Sequence, residues 1–470
     1  MAGWRWSHGT AAIALATTAC ATPEVATLDP GIAVPARWVE TDVAAASLDL
    51  TAYWRLLDDP LLTEFTELAV ARNLDLAQAA ARVEQARAQL RGARAGYFPQ
   101  LSANGSVGRD IGDLARDDLQ FSLGADANWE VDLFGSIGAD VAASRADLAA
   151  AGYSLADLQR LITGQVALAT IQARATAVQL AVARETLLIQ DENLQIARWR
   201  VEAGLVSSLD VEQARSQRAQ TAATIPLLES NLAATANAIS TLIGEPPGRV
   251  LTLLEGTDFV PDPPAIAGFE APAEVLRRRP DVRGAEASLL SSTARIEGAR
   301  AQLLPLIRLG GTIGTSSSGI DNLFDLITGN LFASVGQLIF DGGRTHAQID
   351  SAEAAAQGAL AAWRLSILGA LEEVETAAVD LRKADERVVL FGEAFDAANN
   401  SALLARSQYQ AGLTDFRNLL TSENQLLSAR NSQVSAEAER ASAFVRLTQA
   451  LGGGWQPTDY PLPVSDRIEP

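Results

Sequence analysis

Residue types that carry covalent or metal chemistry are almost missing from this 470-residue chain. It has two histidines, His8 and His346, and one cysteine, Cys20. No His/Cys cluster has metal-ligand spacing, and one thiol cannot close a disulfide within the chain. Nucleophilic and metal-assisted catalysis therefore lack their usual parts. Carboxylates are plentiful, but they are spread over polar faces as solvated side chains are. The net charge of −20 argues against nucleic acid as a partner. The expectation is a protein that is not an enzyme and uses no cofactor or metal. With 48% hydrophobic residues it can still bury a large core.

The one reactive group in a suggestive context is Cys20. Arg5 supplies a positive n-region, residues 10–19 form an apolar run too short to span a bilayer, and small residues lead into the cysteine. This resembles a bacterial lipoprotein signal, in which the cysteine is acylated and becomes the first residue. Thr17 stands where such signals usually have leucine, with Leu15 two positions earlier. Ala21 follows, where inner-membrane retention usually has aspartate, which points to the outer membrane. Residues 1–19 are read as a signal peptide, Cys20 as the lipidation site, and 20–52, rich in Pro, Ala and Thr, as a lipid-anchored extended leader. No later segment reads as a transmembrane helix, so a membrane crossing requires a β-barrel.

The elements that would build one come as a repeat. LRGARAGYFPQLSA from Leu90 and IEGARAQLLPLIRL from Ile296 align Gly92 with Gly298, Arg94 with Arg300 and Pro99 with Pro305. The same offset pairs Asp75 with Asp281 and Phe134 with Phe340. A duplicated unit of this size is domain-like and not a short solenoid repeat. The halves are 53–247 and 273–455, joined by a Pro-rich linker at 248–272 and followed by a tail at 456–470.

In the first half a helical pattern runs from Asp58-Pro60 to about Gly96. Two strands follow, at 98–110 and 118–133. In the second, Leu119, Phe121, Leu123, Ala125, Ala127, Trp129, Val131 and Leu133 share one face. Asp126, Glu130 and Asp132 share the other, a period of two with one wet face. The second half offers strands at 305–315 and 330–340. Tyr97, Phe98, Trp129, Phe134 and Phe340 fall at strand ends, as an interfacial girdle requires. Residues 138–203 and 344–411 then read as uninterrupted helices, each about 100 Å long at 1.5 Å per residue. Each ends in Ala-Gly-Leu, with Gly204 or Gly412 at the position after the C-cap. Further helices follow at 208–243 and 415–451, with Ser208 and Asp415 as N-caps and Pro226 as a kink in the first.

Four strands with an apolar face cannot close a membrane barrel, and an open edge in lipid is forbidden. Several copies must therefore complete one barrel, with their long helices packed as a tube. The fold class is α+β: a duplicated helix-strand-strand-long helix-helix unit.

These residues resemble the outer membrane efflux family, the TolC-like exit ducts of tripartite pumps, in its lipoprotein branch serving resistance-nodulation-division systems. The matching stretches include Asp58-Asp59-Pro60-Leu61-Leu62, Arg72-Asn73-Leu74-Asp75-Leu76, Tyr97-Phe98-Pro99 and Trp129 to Gly135. In the second half they are Arg279-Pro280-Asp281-Val282, Phe340-Asp341-Gly342-Gly343-Arg344 and Tyr409-Gln410-Ala411-Gly412. The resemblance implies a homotrimer with a 12-stranded outer-membrane β-barrel continuous with a periplasmic helical barrel. It implies passive conduction of small molecules, with an inner-membrane pump supplying energy and a periplasmic adaptor docking at the hairpin turns Gly204-Leu205 and Gly412-Leu413. Relatives often gate the inner end with aspartates, at positions that are Asn418 and Thr421 in this chain. That leaves Asp415 and Arg417 to hold the tip shut by pairing between protomers. Asp126, Glu130 and Asp132 are candidates for an acidic lumen. A type I secretion duct for protein cargo and a periplasmic coiled-coil scaffold are the competing readings; the scaffold does not account for the strands.

Overall fold

The computed structural model describes residues 30–39, 50–109, 111, 119–256, 259–266, 268 and 270–456. Cys20, the signal segment 1–19 and tail residues 457–470 lie outside the described residues. Two units are distinguished, Met1–Ala33 and Val34–Pro470. Only residues 30–33 of the first are described, and they hold no helix or strand.

The second unit runs α1 (Pro60–Arg72), α2 (Leu74–Ala95), β1 (Gln100–Arg109), β2 (Leu119–Val131), α3 (Ser136–Glu202) and α4 (Ser208–Leu242). It continues with α5 (Arg249–Leu254), α6 (Pro272–Arg278), α7 (Pro280–Ala301), β3 (Leu306–Ser317), β4 (Ile327–Gly336), α8 (Arg344–Gln410) and α9 (Phe416–Ala450). Beyond the first helix of each half, the repeat is exact in helix length. The helices α2 and α7 have 22 residues each, α3 and α8 have 67, and α4 and α9 have 35. A short and a medium helix lie along each long one, and α7 and α9 also pack on α3.

Several boundaries differ from expectation. The first helical pattern is broken at Asn73, whose side chain accepts from Asp75 N and Leu76 N and so caps α2. Its amide also donates to Leu242 O at 2.8 Å, fixing the break against the end of α4. The strand expected over 330–340 runs Ile327–Gly336, because its partner β3 begins only at Leu306, opposite Gly336. The linker is not free chain. It contains α5, whose Val250 and Leu254 are fully buried against Phe65, Ile239 and Ile243. The leader is also anchored: Trp38 is buried and donates to Glu270 O at 2.7 Å. Pro226 sits inside α4, where it removes one helical hydrogen bond without ending the helix.

Alanines dominate the buried face of α3 (Ala143, Ala146, Ala149, Ala167, Ala173 among them), so helices approach closely. By length and apolarity α3 and α8 would each pass as membrane spans, contrary to the sequence reading. Both are far longer than the ~20 residues a bilayer needs. The most apolar stretch of α3 is 67% buried inside the protomer, which makes it core; that of α8 is only 17% buried. One protomer thus leaves an apolar face of α8 uncovered, including Leu365, Leu368, Val389 and Leu390.

Arginines close the C-terminal end of α9. Arg160 donates to Gln449 O, Arg279 to Ala450 O and Arg278 twice to Leu451 O. Three guanidinium groups thereby satisfy carbonyls that the helix leaves unpaired and oppose its dipole. Arg279 is itself buried and salt-bridged to Asp281 and Glu373.

Candidate functional site: a two-faced sheet and a pair of hairpin tips

The sheet is antiparallel throughout, in the order β1-β2-β3-β4. Its register places Leu101, Ala127, Gly311 and Leu331 in one row and Ser102, Asp126, Thr312 and Asn330 in the next. Since successive side chains point to opposite faces, all four strands carry their apolar set on one side. That side is uncovered: Leu101, Val107, Ile313, Ile327, Leu331 and Val335 are all exposed, Leu331 at 93%. The outer edges of β1 and β4 have no strand partner among the described residues. A sheet with an uncovered apolar face and two open edges is incomplete in water.

On the polar face Asp126 lies between Ser102 and Thr312, and Glu130 faces Arg308 at 3.7 Å. The expected run of three acids is therefore shortened and partly offset. Asp132 lies past the end of β2, where its carboxylate accepts from Ile137 N and Gly138 N and starts α3. Asp341 does the same for α8, accepting from Gly343 N and Thr345 N. The signal missed in the sequence is an aspartate shortly before a left-handed glycine, Gly135 or Gly343, at each strand-to-helix junction. Tyr97, Phe98, Trp129, Phe134 and Phe340 all gather at this helix-proximal end of the sheet, and Trp129 Nε1 donates to Tyr97 O at 3.0 Å.

At the far end the two hairpins turn identically. Gly204 N donates to Val201 O and Leu205 N to Arg200 O; Gly412 N donates to Tyr409 O and Leu413 N to Gln408 O. This is the Schellman pattern, and its C′ residue needs the positive φ that Gly204 (69°) and Gly412 (76°) adopt. Leu205 and Leu413 project, 72% and 79% exposed. The hairpins are tied together by Arg200, which donates to Tyr409 O at 2.7 Å and lies 4.1 Å over the Tyr409 ring. Tyr409 packs on Phe416 within a small core of Leu194, Ala214, Ala405 and Leu419.

A buried polar cluster sits behind this tip. Asn193 donates to both Glu423 carboxylate oxygens, at 2.9 and 2.7 Å, and Arg406 reaches the same carboxylate at 3.3 Å. Burial pushes the Glu423 carboxyl above its ordinary range, against the pull of Asn193 and Arg406. This joint between α3, α8 and α9 was invisible in the sequence, because Asn193 and Glu423 are 230 residues apart.

The expected gate residues are all at the tip. Asp415 caps α9 by accepting from Asn418 N at 2.8 Å. The Asn418 side chain donates to Thr414 Oγ1, and the Thr421 hydroxyl donates to Arg417 O. Arg417 is exposed and makes no ion pair with a carboxylate among the described residues. Asp415 and Arg417 are thus not brought together within one protomer.

The sequence profile of the outer membrane efflux protein family matches residues 66–245 and 271–453. Nodulation protein T of Rhizobium leguminosarum bv. trifolii is 30% identical over 438 residues, covering 91% of this chain and 93% of that protein. The pyoverdine export outer membrane protein OpmQ of Pseudomonas putida is 30% identical over 457 residues, covering 94% and 96%. Among solved structures, the outer-membrane channel OprN superimposes with a TM-score of 0.80 at 32% identity, over 90% of this chain and all of that one. CusC, a transmembrane channel, gives 0.78 at 25% identity over 91% of this chain and 100% of that one. The open sheet, the long helices and these relatives converge: the chain belongs to the outer membrane efflux protein family, a family of transport channels, and works as an efflux exit duct.

Proposed function

We propose that three copies of this chain close one 12-stranded β-barrel in the outer membrane and one helical tunnel beneath it. The observation that carries this reading is the sheet, apolar and uncovered on one face and, among the described residues, unpaired at both edges. In lipid every backbone edge must be satisfied, and pairing β4 of one protomer with β1 of the next does so. The uncovered apolar stripe of α8 supplies a second surface for the neighbouring copy. Solutes of small-molecule size pass along the polar face, and the duct does no chemistry on them. An inner-membrane pump supplies energy through a periplasmic adaptor that meets Gly204-Leu205 and Gly412-Leu413. Cys20 carries the lipid that holds the leader at the membrane.

The test is the native mass of protein extracted from outer membranes in mild detergent. A protein mass of three chains is expected; a monodisperse monomer that keeps its strand content overturns the shared barrel.

The inner end is held shut by Arg417 of one protomer reaching Asp415 of the next, since each is exposed and unpaired with the other in its own chain. Exposed pairs contribute little singly, so the effect is read electrically. Arg417→Ala raises the leak conductance of the channel in planar bilayers several-fold over wild type. An unchanged conductance removes these residues from the gate.

A further inference from the structure

Phe332 breaks the pattern of the polar face. The register places it in the row of Gln100, Asn128 and Gly310, with Asn330 and Ser334 two positions away on the same strand. Apart from Leu306, the first residue of β3 at the end of the sheet, every other residue of the four strands on this face is polar, charged or glycine. Phe332 is the one apolar side chain on this face away from the strand ends, and 47% of its surface is exposed. Its ring lies flat over Gly310: a Cβ built on that glycine would sit 2.3 Å from Cζ and 2.7 and 2.9 Å from the two Cε atoms. Glycine at 310 is therefore what admits the ring, and any larger residue would push it off the wall.

We infer that Phe332 is a lumenal contact site for aromatic organic cations passing through the duct. The inference rests on the reading above that the polar face lines the lumen. The outer face of the ring is free to stack on a planar solute and offers its negative quadrupole to a cation. Charge comes from the same wall. Asp126 forms no ion pair among the described residues, and it lies two residues from the Phe332 row, on the row of Thr312 and Asn330. With the ring over Gly310, one strand from β2, strand geometry puts it about 8 Å from the backbone of Asp126, a span that a polycyclic cation with a pendant charge covers. Three-fold symmetry repeats the ring three times at one level of the barrel. An aliphatic cation of equal charge would meet the carboxylate without the stacking surface, so the site sorts solutes by aromaticity as well as by charge.

The experiment is single-channel recording on the purified full-length assembly, with ethidium and tetraethylammonium as probes. Wild type is expected to show concentration-dependent block by ethidium at concentrations where tetraethylammonium leaves the current unchanged. Phe332→Leu raises the half-blocking ethidium concentration by at least about threefold, in line with the loss of modest cation–π contacts. Phe332→Tyr, which keeps the ring, restores it. Phe332→Met serves as the second ring-free variant if the leucine protein does not assemble. Unchanged ethidium block in an open, ring-free channel overturns the site and leaves Phe332 as a cover for Gly310. Equal block by the two probes in wild type overturns it as well. If the wild-type assembly forms no conducting pore, it is the duct reading itself that fails.

Discussion

Asp59→Ala lowers the stability of the protomer by about 3–5 kcal/mol, the range for removing one partner of a buried ion pair. Asp59 and Arg174 have side-chain exposures of 0% and 2%. The pairing is bidentate, Nε to Oδ2 at 2.9 Å and Nη2 to Oδ1 at 2.7 Å. The same carboxylate caps α1 by accepting from Leu61 N and Leu62 N, and the guanidinium lies 4.5 Å from the centre of the Phe259 ring. One ion pair thus joins the start of the first helix, the middle of α3 and the segment between the repeats. Its net contribution relative to an apolar pair is small, because desolvation offsets most of the Coulomb attraction; the cost arises when one charge is left behind. The double variant Asp59→Ala/Arg174→Met is accordingly expected to lose less than the sum of the two single losses. Pulse proteolysis across a urea series measures both. A single-variant loss below about 1 kcal/mol would remove the keystone role.

The contrast between this ion pair and the long helices shows what a sequence makes legible. The 67-residue helices, their terminating glycines and the alternating strands are local patterns, and each appears twice, so one copy supports the other. Alternation of residue type alone located the wet face of β2. The break at Asn73 was local too: an asparagine before Leu-Asp-Leu is a cap, but apolar residues continue at helical spacing on both sides and mask it. Glu423, Asn193, Arg174 and Asp59 show the opposite case. Nothing in the neighbourhood of any of them marks it as buried, because the partner is supplied by tertiary packing 115 or 230 residues away. Asp132 continues the period-two pattern of β2 by one more step, but the strand stops at Val131 and the next helix claims its carboxylate. Nothing in the sequence of the strand expected at 330–340 marks Phe332, because a phenylalanine beside Leu331, Ala333 and Val335 fits an apolar strand. Only register against β3 shows that it lies on the other face. The gate residues were placed at the tip from sequence, whereas whether Asp415 meets Arg417 depends on a second copy of the chain.

The most decisive use of that register is a pair of substitutions one residue apart. Leu331→Arg abolishes outer-membrane assembly, while Asn330→Arg leaves it intact. Leu331 is at the middle of β4, on the apolar face, and 93% exposed in the protomer. If that face meets lipid, an arginine near mid-depth costs about 2–4 kcal/mol in each copy, and a symmetric assembly incurs the cost once per protomer. Over three copies this sums to about 6–12 kcal/mol, comparable to the whole stability margin of an ordinary fold, about 5–15 kcal/mol. Asn330 points to the opposite face, in the row of Thr312 and Asp126, where a guanidinium stays hydrated and has a carboxylate in the same row. The same charge at adjacent positions therefore separates a lipid wall from a water-filled one, and unlike deletion of a strand it leaves backbone pairing untouched. The readout is the amount of each variant in carbonate-washed outer membranes, together with its migration as an assembled species before heating. Equal loss of both variants would point to a strand buried on both faces. Equal tolerance of both would mean that neither face meets hydrocarbon, and the sheet would then have to be completed by protein instead of lipid.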